Sequence, residues 1–364
     1  KTPLKLECAQ NKLGVKGTIA FIILADMFIP LSTDMYLPAL PTMSEHLNTN
    51  ASLVNITVTA FFVAYALGML FWGPLSDKFG RRRMLLVGFG VYLAGSALCA
   101  AAPNIEVLIA ARMLHGIGAA SVTAISMAIV KDCFSGRIRE QVLAIVQTLS
   151  GIGPIMAPVL GGWVLLITDW RGVFELLFAF GVVGFILTLL FEESLPVSGR
   201  YKGSFWRVFG QLGVVLKNKS FFWVTLIFAL HMLPFYAYIV LSSYIYVDGF
   251  GTTEQVYSYF YASAALISMI APYLYIKCFA DFSKKRFLTV CFTFLLISGL
   301  AVLTIGQFSP WLFSGSFLIF FFASNLFRPL STNVILEQQE HDIGSASSVM
   351  NMSFNFFGCL GMLL

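Results

Sequence analysis

Two carboxylates stand inside an apolar run. Asp26 and Asp34 interrupt the stretch from Gly17 to Pro41, GTIAFIILADMFIPLSTDMYLPALP. The stretch is long enough to cross a bilayer, which takes roughly 20 helical residues. An ionised Asp near the bilayer centre costs roughly 2.5–3.5 kcal/mol on insertion scales. Such a pair calls for a partner, a water-filled cavity or a proton. At about 1.5 Å per residue, eight residues set the two about 12 Å apart along a helix axis. Eight steps of roughly 100° leave them about 80° apart around it, so both can face one cavity. Pro30 lies midway and kinks the helix. Either the acids hold helices together, or one or both carry protons or bind a cation.

Other polar side chains sit in equally apolar surroundings. Arg112 lies at a depth similar to that of Asp34 and stays charged at any ordinary pH. Beside such a cation, an acid that moves between wet and dry exposure would bind and release protons; the alternative is a static ion pair. His115, one turn on, is a relay or a packed histidine, and the packed reading is favoured. Gln147 adds a polar contact one turn before a Gly- and Pro-rich segment. His231 stands near midplane beside Pro234, Phe235, Tyr236 and Tyr238. With 36 Phe and 13 Met, an aromatic, Met-lined cavity would suit large lipophilic ligands. Asn325 and Arg328 are unusual for a span, and Pro329 loosens the helix there. An Arg in the second half facing Asp26 and Asp34 would give a cavity with opposite charge on its two walls. That suits a zwitterionic or carboxylate-bearing substrate; the alternative is an Arg satisfied by backbone carbonyls.

The elements that carry these residues follow from composition. Of 364 residues, 58% are hydrophobic and 11% charged. A soluble core cannot absorb that much apolar surface, so the chain reads as an all-α polytopic membrane protein. Eleven apolar spans are expected: 17–37, 52–73, 84–102, 106–129, 142–167, 173–191, 220–246, 255–276, 287–306, 311–336 and 344–364. The first is too long for a cleavable signal and lacks a small-x-small site after it. Apart from Arg112, Arg328 and Arg171, the 23 Lys and Arg residues fall before span one or after spans two, four, six and eight. This alternation predicts a cytoplasmic N-terminus. Six cysteines, at 8, 99, 133, 278, 291 and 359, show no paired or metal-like spacing. They are expected to need no disulfide and to pack as small residues. Residues 192–219 form the longest connection. Phe205, Trp206, Phe209 and Leu212 against Arg207, Lys217 and Lys219 predict a helix lying on the membrane surface. GPLSDKFGRRR after span two and CFADFSKKR after span eight suggest a duplication of six spans per half. In the first of these loops, Gly73 and Gly80 permit a tight turn, and Asp77 can bridge helices and cap a helix N-terminus. In span five, Gly161 and Gly162 allow close helix approach, while Pro154 and Pro158 bend it. No phosphate-binding glycine loop, metal-ligand cluster or nucleophile motif is present, so the chain does not read as an enzyme.

The motifs resemble one family in particular. The run from Gly73 to Arg83, with Asp77, Gly80 and Arg81, is similar to the loop signature of the major facilitator superfamily. Arg112-Met-Leu-His115-Gly116-Ile-Gly118 resembles the fourth-helix motif of its twelve-helix drug:proton antiporters. Gly153-Pro154 with Ala157-Pro158-Val-Leu-Gly161-Gly162 resembles their fifth-helix motif. Ser32-Thr-Asp34-Met-Tyr-Leu-Pro38-Ala-Leu-Pro41 resembles the bicyclomycin-resistance type. The likeness covers nearly the whole chain and is strongest in its first half. That type usually carries small, apolar residues where Asn325 and Arg328 stand.

The resemblance implies the major facilitator fold: two pseudo-symmetric six-helix bundles with a substrate path between them. Residues 1–196 would form the first bundle, 197–219 a cytoplasmic linker with its amphipathic helix, and 220–364 helices seven to eleven. The twelfth helix is apparently missing from the chain and would lie beyond Leu364. Gly73, Asp77, Gly80, Arg81 and Arg83 would latch the cytoplasmic side, and Pro154, Pro158, Gly161 and Gly162 would seal the cavity. The expected function is proton-coupled efflux of small amphipathic molecules or drugs across the bacterial inner membrane. Asp34, Asp26 and Arg112 would couple protons; Asp26, Gln147, His231, Tyr238, Asn325 and Arg328 would touch substrate. The energy source is a proton gradient, with no cofactor and no metal. The partners are a small-molecule substrate, protons and membrane lipid, without nucleic acid, and the chain is expected to be a monomer. The alternatives are an exporter of an endogenous metabolite or siderophore bearing an anionic group, and a non-transporting membrane receptor or scaffold.

Overall fold

Asparagine, aspartate, threonine and serine side chains set the starts of the long helices in the computed structural model. Asn50, Asn104, Asp169, Asn218, Thr253 and Ser309 each accept a hydrogen bond from a backbone N–H in the first turn that follows. These caps satisfy donors that a helix leaves open at its N-terminus. Asn50 is thus a helix cap. The structure describes Cys8 and residues 10–135, 138–139, 142–143, 145–146, 149, 151–200, 217–279, 282–338 and 343–363. Among the described residues there are helices and turns but no strand.

The chain divides into two compact units, Lys1–Phe205 and Trp206–Leu364. In the first unit, α1 spans Gly14–Asp34 and is followed by a 3-10 turn and the short α2, Leu40–His46. Then come α3 (Ala51–Phe79), α4 (Arg81–Ala100), α5 (Ile105–Cys133), α6 (Gly153–Val164) and α7 (Trp170–Leu190). Helix α5 packs along both α3 and α4 and also touches α1, so Arg112 is surrounded on every side.

In the second unit, the seventh expected span is two helices, α8 (Lys219–Ala229) and α9 (Met232–Tyr244), parted at Leu230–His231. Next are α10 (Glu254–Leu274) and α11 (Lys284–Thr304). The tenth expected span is likewise two helices, α12 (Pro310–Leu326) and α13 (Arg328–Leu336), parted at Phe327. Helix α14 covers Ile343–Leu363. Pro234 and Pro329 account for the partings. A proline ring excludes the carbonyl four residues earlier and lacks the N–H that would bind it. The core of this unit is aromatic and aliphatic, with Phe221, Phe228, Phe327, Leu330 and Phe354 among its buried members.

Each of the eleven expected spans coincides with helix, the fifth being described as one from Gly153 to Val164. Of the expected amphipathic connection, Val197–Gly199 is a single 3-10 turn. Residues 201–216, with Phe205, Trp206, Arg207, Phe209 and Leu212, lie outside the described residues. Two expectations need correction. Gly73 is no turn residue: it sits inside α3, and a β-carbon there would meet nothing within 4 Å. Gly80 alone makes the turn between α3 and α4, at φ +100°, which favours glycine. The cysteines are not all packing residues, because Cys8 and Cys133 form a disulfide with Cα atoms 4.8 Å apart. Their separation of 125 residues hides the pairing; the segment before α1 meets the end of α5 only in the folded chain.

Candidate functional site

Arg112 is the centre of the first unit. Its side chain is fully buried. One guanidinium nitrogen, Nη1, donates to the Ser32 carbonyl at 3.1 Å and lies 3.0 Å from His115 Nδ1. The planar group faces three rings, Phe61 at 4.3 Å, Tyr36 at 4.8 Å and Phe174 at 5.6 Å. Those rings come from α3, the turn after α1, and α7, so one cation ties three parts of the unit. Desolvated cation–π contacts contribute about 2 kcal/mol. Its Nε and Nη2 have no hydrogen-bond partner among the described residues, and no carboxylate there pairs with it. Around Arg112 stand an aromatic cage and the α1 backbone two residues before Asp34.

His115 completes the cage. A guanidinium has donors only, so Nδ1 must accept. The proton is then on Nε2, which donates to Ser96 Oγ at 3.0 Å. The ring packs on Tyr92 at 4.4 Å, and the Tyr92 hydroxyl meets Ser32 Oγ at 2.8 Å. In this arrangement His115 is a packed, neutral ring whose two nitrogens are both used.

Asp34 is the last residue of α1 and only 8% exposed. The Thr33 hydroxyl lies 2.9 Å from Asp34 Oδ1 and 2.9 Å from the Ile29 carbonyl. A hydroxyl has one proton, so it serves one acceptor at a time. Asp26 is half-buried two turns earlier on α1. Helix α6 crosses α1 between and beyond the two acids. A β-carbon at Gly153 would meet Pro30 Cγ at 2.8 Å, and one at Gly161 would overlap the Met35 carbonyl oxygen. Pro158 and Gly162 are buried at this crossing, and Pro154 opens the helix. Gln147 lies outside the described residues.

A second polar cluster closes one end of the first unit. Arg81, the buried first residue of α4, gives Nη1 to Asp77 at 2.6 Å and to Ser76 Oγ at 2.6 Å. Its Nε binds Asp132 Oδ2 at 2.8 Å, which ties α4 to the last turn of α5. Asp77 does not cap a helix. The Arg81 N–H is met instead by Glu193 Oε1 at 2.8 Å, a residue just past α7. Ser194 Oγ donates to Asp132 at 3.2 Å, and a β-carbon at Gly80 would overlap the Glu193 carboxylate. Arg82 donates to the Leu189 carbonyl at 2.8 Å, while Arg83 is exposed. Before α1, Gln10 exchanges two hydrogen bonds with the Glu192 backbone, at 2.6 and 3.0 Å. Asp132, Glu193 and the cage rings were not legible as partners in the sequence. Asp132, an acid inside a basic loop like Asp77, carried the one available signal.

In the second unit the expected substrate residues fall in two groups, Asn325 with Tyr238 about Phe321, and His231 with Arg328. Asn325 is buried, donating to Ser268 Oγ at 3.1 Å and to the Phe321 carbonyl at 2.9 Å, which joins α12 to α10. Tyr238 is buried among Tyr261, Phe313, Phe317 and Phe321. His231 sits at the α8–α9 parting with Nδ1 on the Phe228 carbonyl and its ring against Phe327. Arg328, at the start of α13, is exposed, lies within electrostatic reach of His231, and has no ion pair among the described residues.

Comparison with known proteins places this arrangement. A family model described as Major Facilitator Superfamily matches residues 22–362. The MFS-type transporter YdgK of Bacillus subtilis is 30% identical over 331 residues, 89% of this chain and 82% of that protein. Multidrug resistance protein MdtL of Klebsiella pneumoniae is 27% identical, over 76% of this chain and 70% of its own. A bicyclomycin resistance protein homolog of Haemophilus influenzae is 25% identical, over 75% and 68%. A D-xylose–proton symporter structure superposes with a TM-score of 0.75 at 12% identity, covering 95% of this chain and 88% of that one. With its apolar helices, its motif residues in place and the family model spanning both units, the chain is a multi-pass membrane transporter, not an enzyme, and belongs to the major facilitator superfamily.

Proposed function

We propose that this protein is a proton-coupled exporter of small amphipathic molecules or drugs in a bacterial inner membrane, a monomer with a cytoplasmic N-terminus. The proton gradient is its energy source. The carrying observation is Asp34, a buried acid whose hydrogen-bond partner can serve both of its protonation states. When Asp34 is ionised, Thr33 donates to it. When Asp34 is protonated, its own O–H donates to Thr33 Oγ1 while the Thr33 proton turns to the Ile29 carbonyl. The Thr33–Asp34 contact is thus kept in either state, which lowers the cost of proton exchange at that oxygen. Arg112 fixes the adjacent α1 backbone, so a proton on Asp34 is felt at a rigid crossing with α5 and α6. Asp26 is the second proton or cation group. The multidrug and bicyclomycin resistance relatives support the direction, outward, and the substrate class. The test is proton release from acid-loaded everted vesicles on adding ethidium or chloramphenicol. Vesicles with the protein should release protons on addition of at least one drug; release no greater than in vesicles without it contradicts the reading.

A second reading, export of a metabolite or drug bearing an anionic group, rests on Arg328. Its charge stands about 12 Å from the end of α13, eight residues on at about 1.5 Å each. A charge at that depth is costly unless an anion meets it, and its own unit supplies no ion pair for it among the described residues. Arg328→Ala should weaken binding of norfloxacin about tenfold, the loss expected for a charged hydrogen bond, and its methyl ester far less. Equal weakening of acid and ester would make Arg328 structural.

A further inference from the structure

We propose that the Cys8–Cys133 bond is a thiol–disulfide switch that stiffens the Arg81 polar cluster when formed and frees it when reduced. The bond joins the segment before α1 to the last residue of α5. Asp132, the neighbour of Cys133, carries the Arg81 contact and receives Ser194. From Cys8 the chain runs two residues to Gln10, whose side chain is held on the Glu192 backbone. Glu193, next in sequence, holds the Arg81 N–H. The disulfide thus closes a ring: Cys133, Asp132, Arg81, Glu193, Glu192, Gln10 and back to Cys8. Four chain ends meet in that ring, those of α3 with α4, α5, α7 and the segment before α1. With the bond formed, the end of α5 cannot leave Arg81 without dragging the first segment off Glu192. With it reduced, each contact can break alone.

The inference rests on the cytoplasmic placement of this end proposed above, because cytosolic disulfides are transient and redox-responsive rather than permanent. The two sulfurs differ in access: Cys133 is fully buried and Cys8 is partly exposed. A glutathione-type thiolate therefore attacks Cys8 Sγ. The Cys8–Cys133 bond breaks, a mixed disulfide forms on Cys8, and Cys133 leaves and takes up a proton. A second thiolate attacks the mixed disulfide, and Cys8 leaves as a thiol. Two glutathione thiols become one glutathione disulfide, and the protein gains two electrons and two protons. Oxidation by glutathione disulfide is the reverse.

The test uses the full chain and needs no substrate. Cells are quenched with N-ethylmaleimide, and the alkylated fractions of Cys8 and Cys133 are read by peptide mass spectrometry, with and without brief diamide treatment. The purified protein is then equilibrated across glutathione ratios, and amide exchange is followed in residues 77–83 and 128–133. The switch predicts matched, reversible pairing of the two cysteines. It also predicts exchange at least about tenfold faster in both segments on reduction, reproduced by Cys8→Ser under oxidising conditions. Pairing that never forms, pairing that stays complete in untreated cells, or exchange that is the same in both states overturns it. A membrane-impermeant maleimide separates this from the orientation reading. Labelling of reduced Cys8 in everted vesicles alone supports both. Labelling from the outside overturns the orientation and the switch with it, whereas unpaired Cys8 labelled only in everted vesicles overturns the switch alone.

Discussion

A buried arginine in an aromatic cage is held here by geometry that only a guanidinium supplies. Arg112 presents a flat face to Phe61, Tyr36 and Phe174 and a fork to Ser32 and His115. Lysine keeps the charge but has neither the plane nor the fork. Arg112→Lys should therefore cost about 2 kcal/mol and lower the unfolding temperature in detergent. An unchanged unfolding temperature would show that the cage contributes nothing beyond charge. The charged members of this site were legible because Asp34 and Arg112 are ionisable residues in apolar surroundings. The cage was not, since its rings stand on three separate elements and share no spacing. The same reason hid Asp132 and Glu193, whose roles exist only where four helix ends converge.

Helix crossings decide which motif glycines matter. At Gly161 a β-carbon would overlap the Met35 carbonyl oxygen, and backbone cannot move aside as a side chain can. Gly161→Leu should cost about 1–3 kcal/mol, the usual range for overpacking, with transport falling. Gly73, from the loop signature, has open space around its α-carbon inside α3. Gly73→Ala should leave the fold intact and, by helix propensity, gain about 0.5–1 kcal/mol. Thermal unfolding of the two variants side by side checks both; destabilisation by Gly73→Ala as large as by Gly161→Leu would contradict the assignment. The spans themselves were legible, since apolar length is a strong signal. The partings at Leu230–His231 and Phe327 follow from Pro234 and Pro329, yet the seventh and tenth spans read as continuous because hydropathy does not register a lost hydrogen bond.

At the scale of the molecule, composition alone fixed the membrane, and the motifs fixed the superfamily. What composition cannot encode is the proposed coupling, in which one acid changes protonation while the helices around it hold still or move. Uphill transport driven by a pH difference tests that most directly. Proteoliposomes carrying the protein, acid inside, are diluted into alkaline buffer with ethidium, and lumenal dye is followed. Wild-type protein should concentrate ethidium above the outside level, and collapse of the pH difference should release it. Asp34→Asn, inserted to the same amount, should bring ethidium only to equality. Accumulation by Asp34→Asn equal to wild type, or wild-type accumulation that ignores the pH difference, would contradict proton coupling through Asp34.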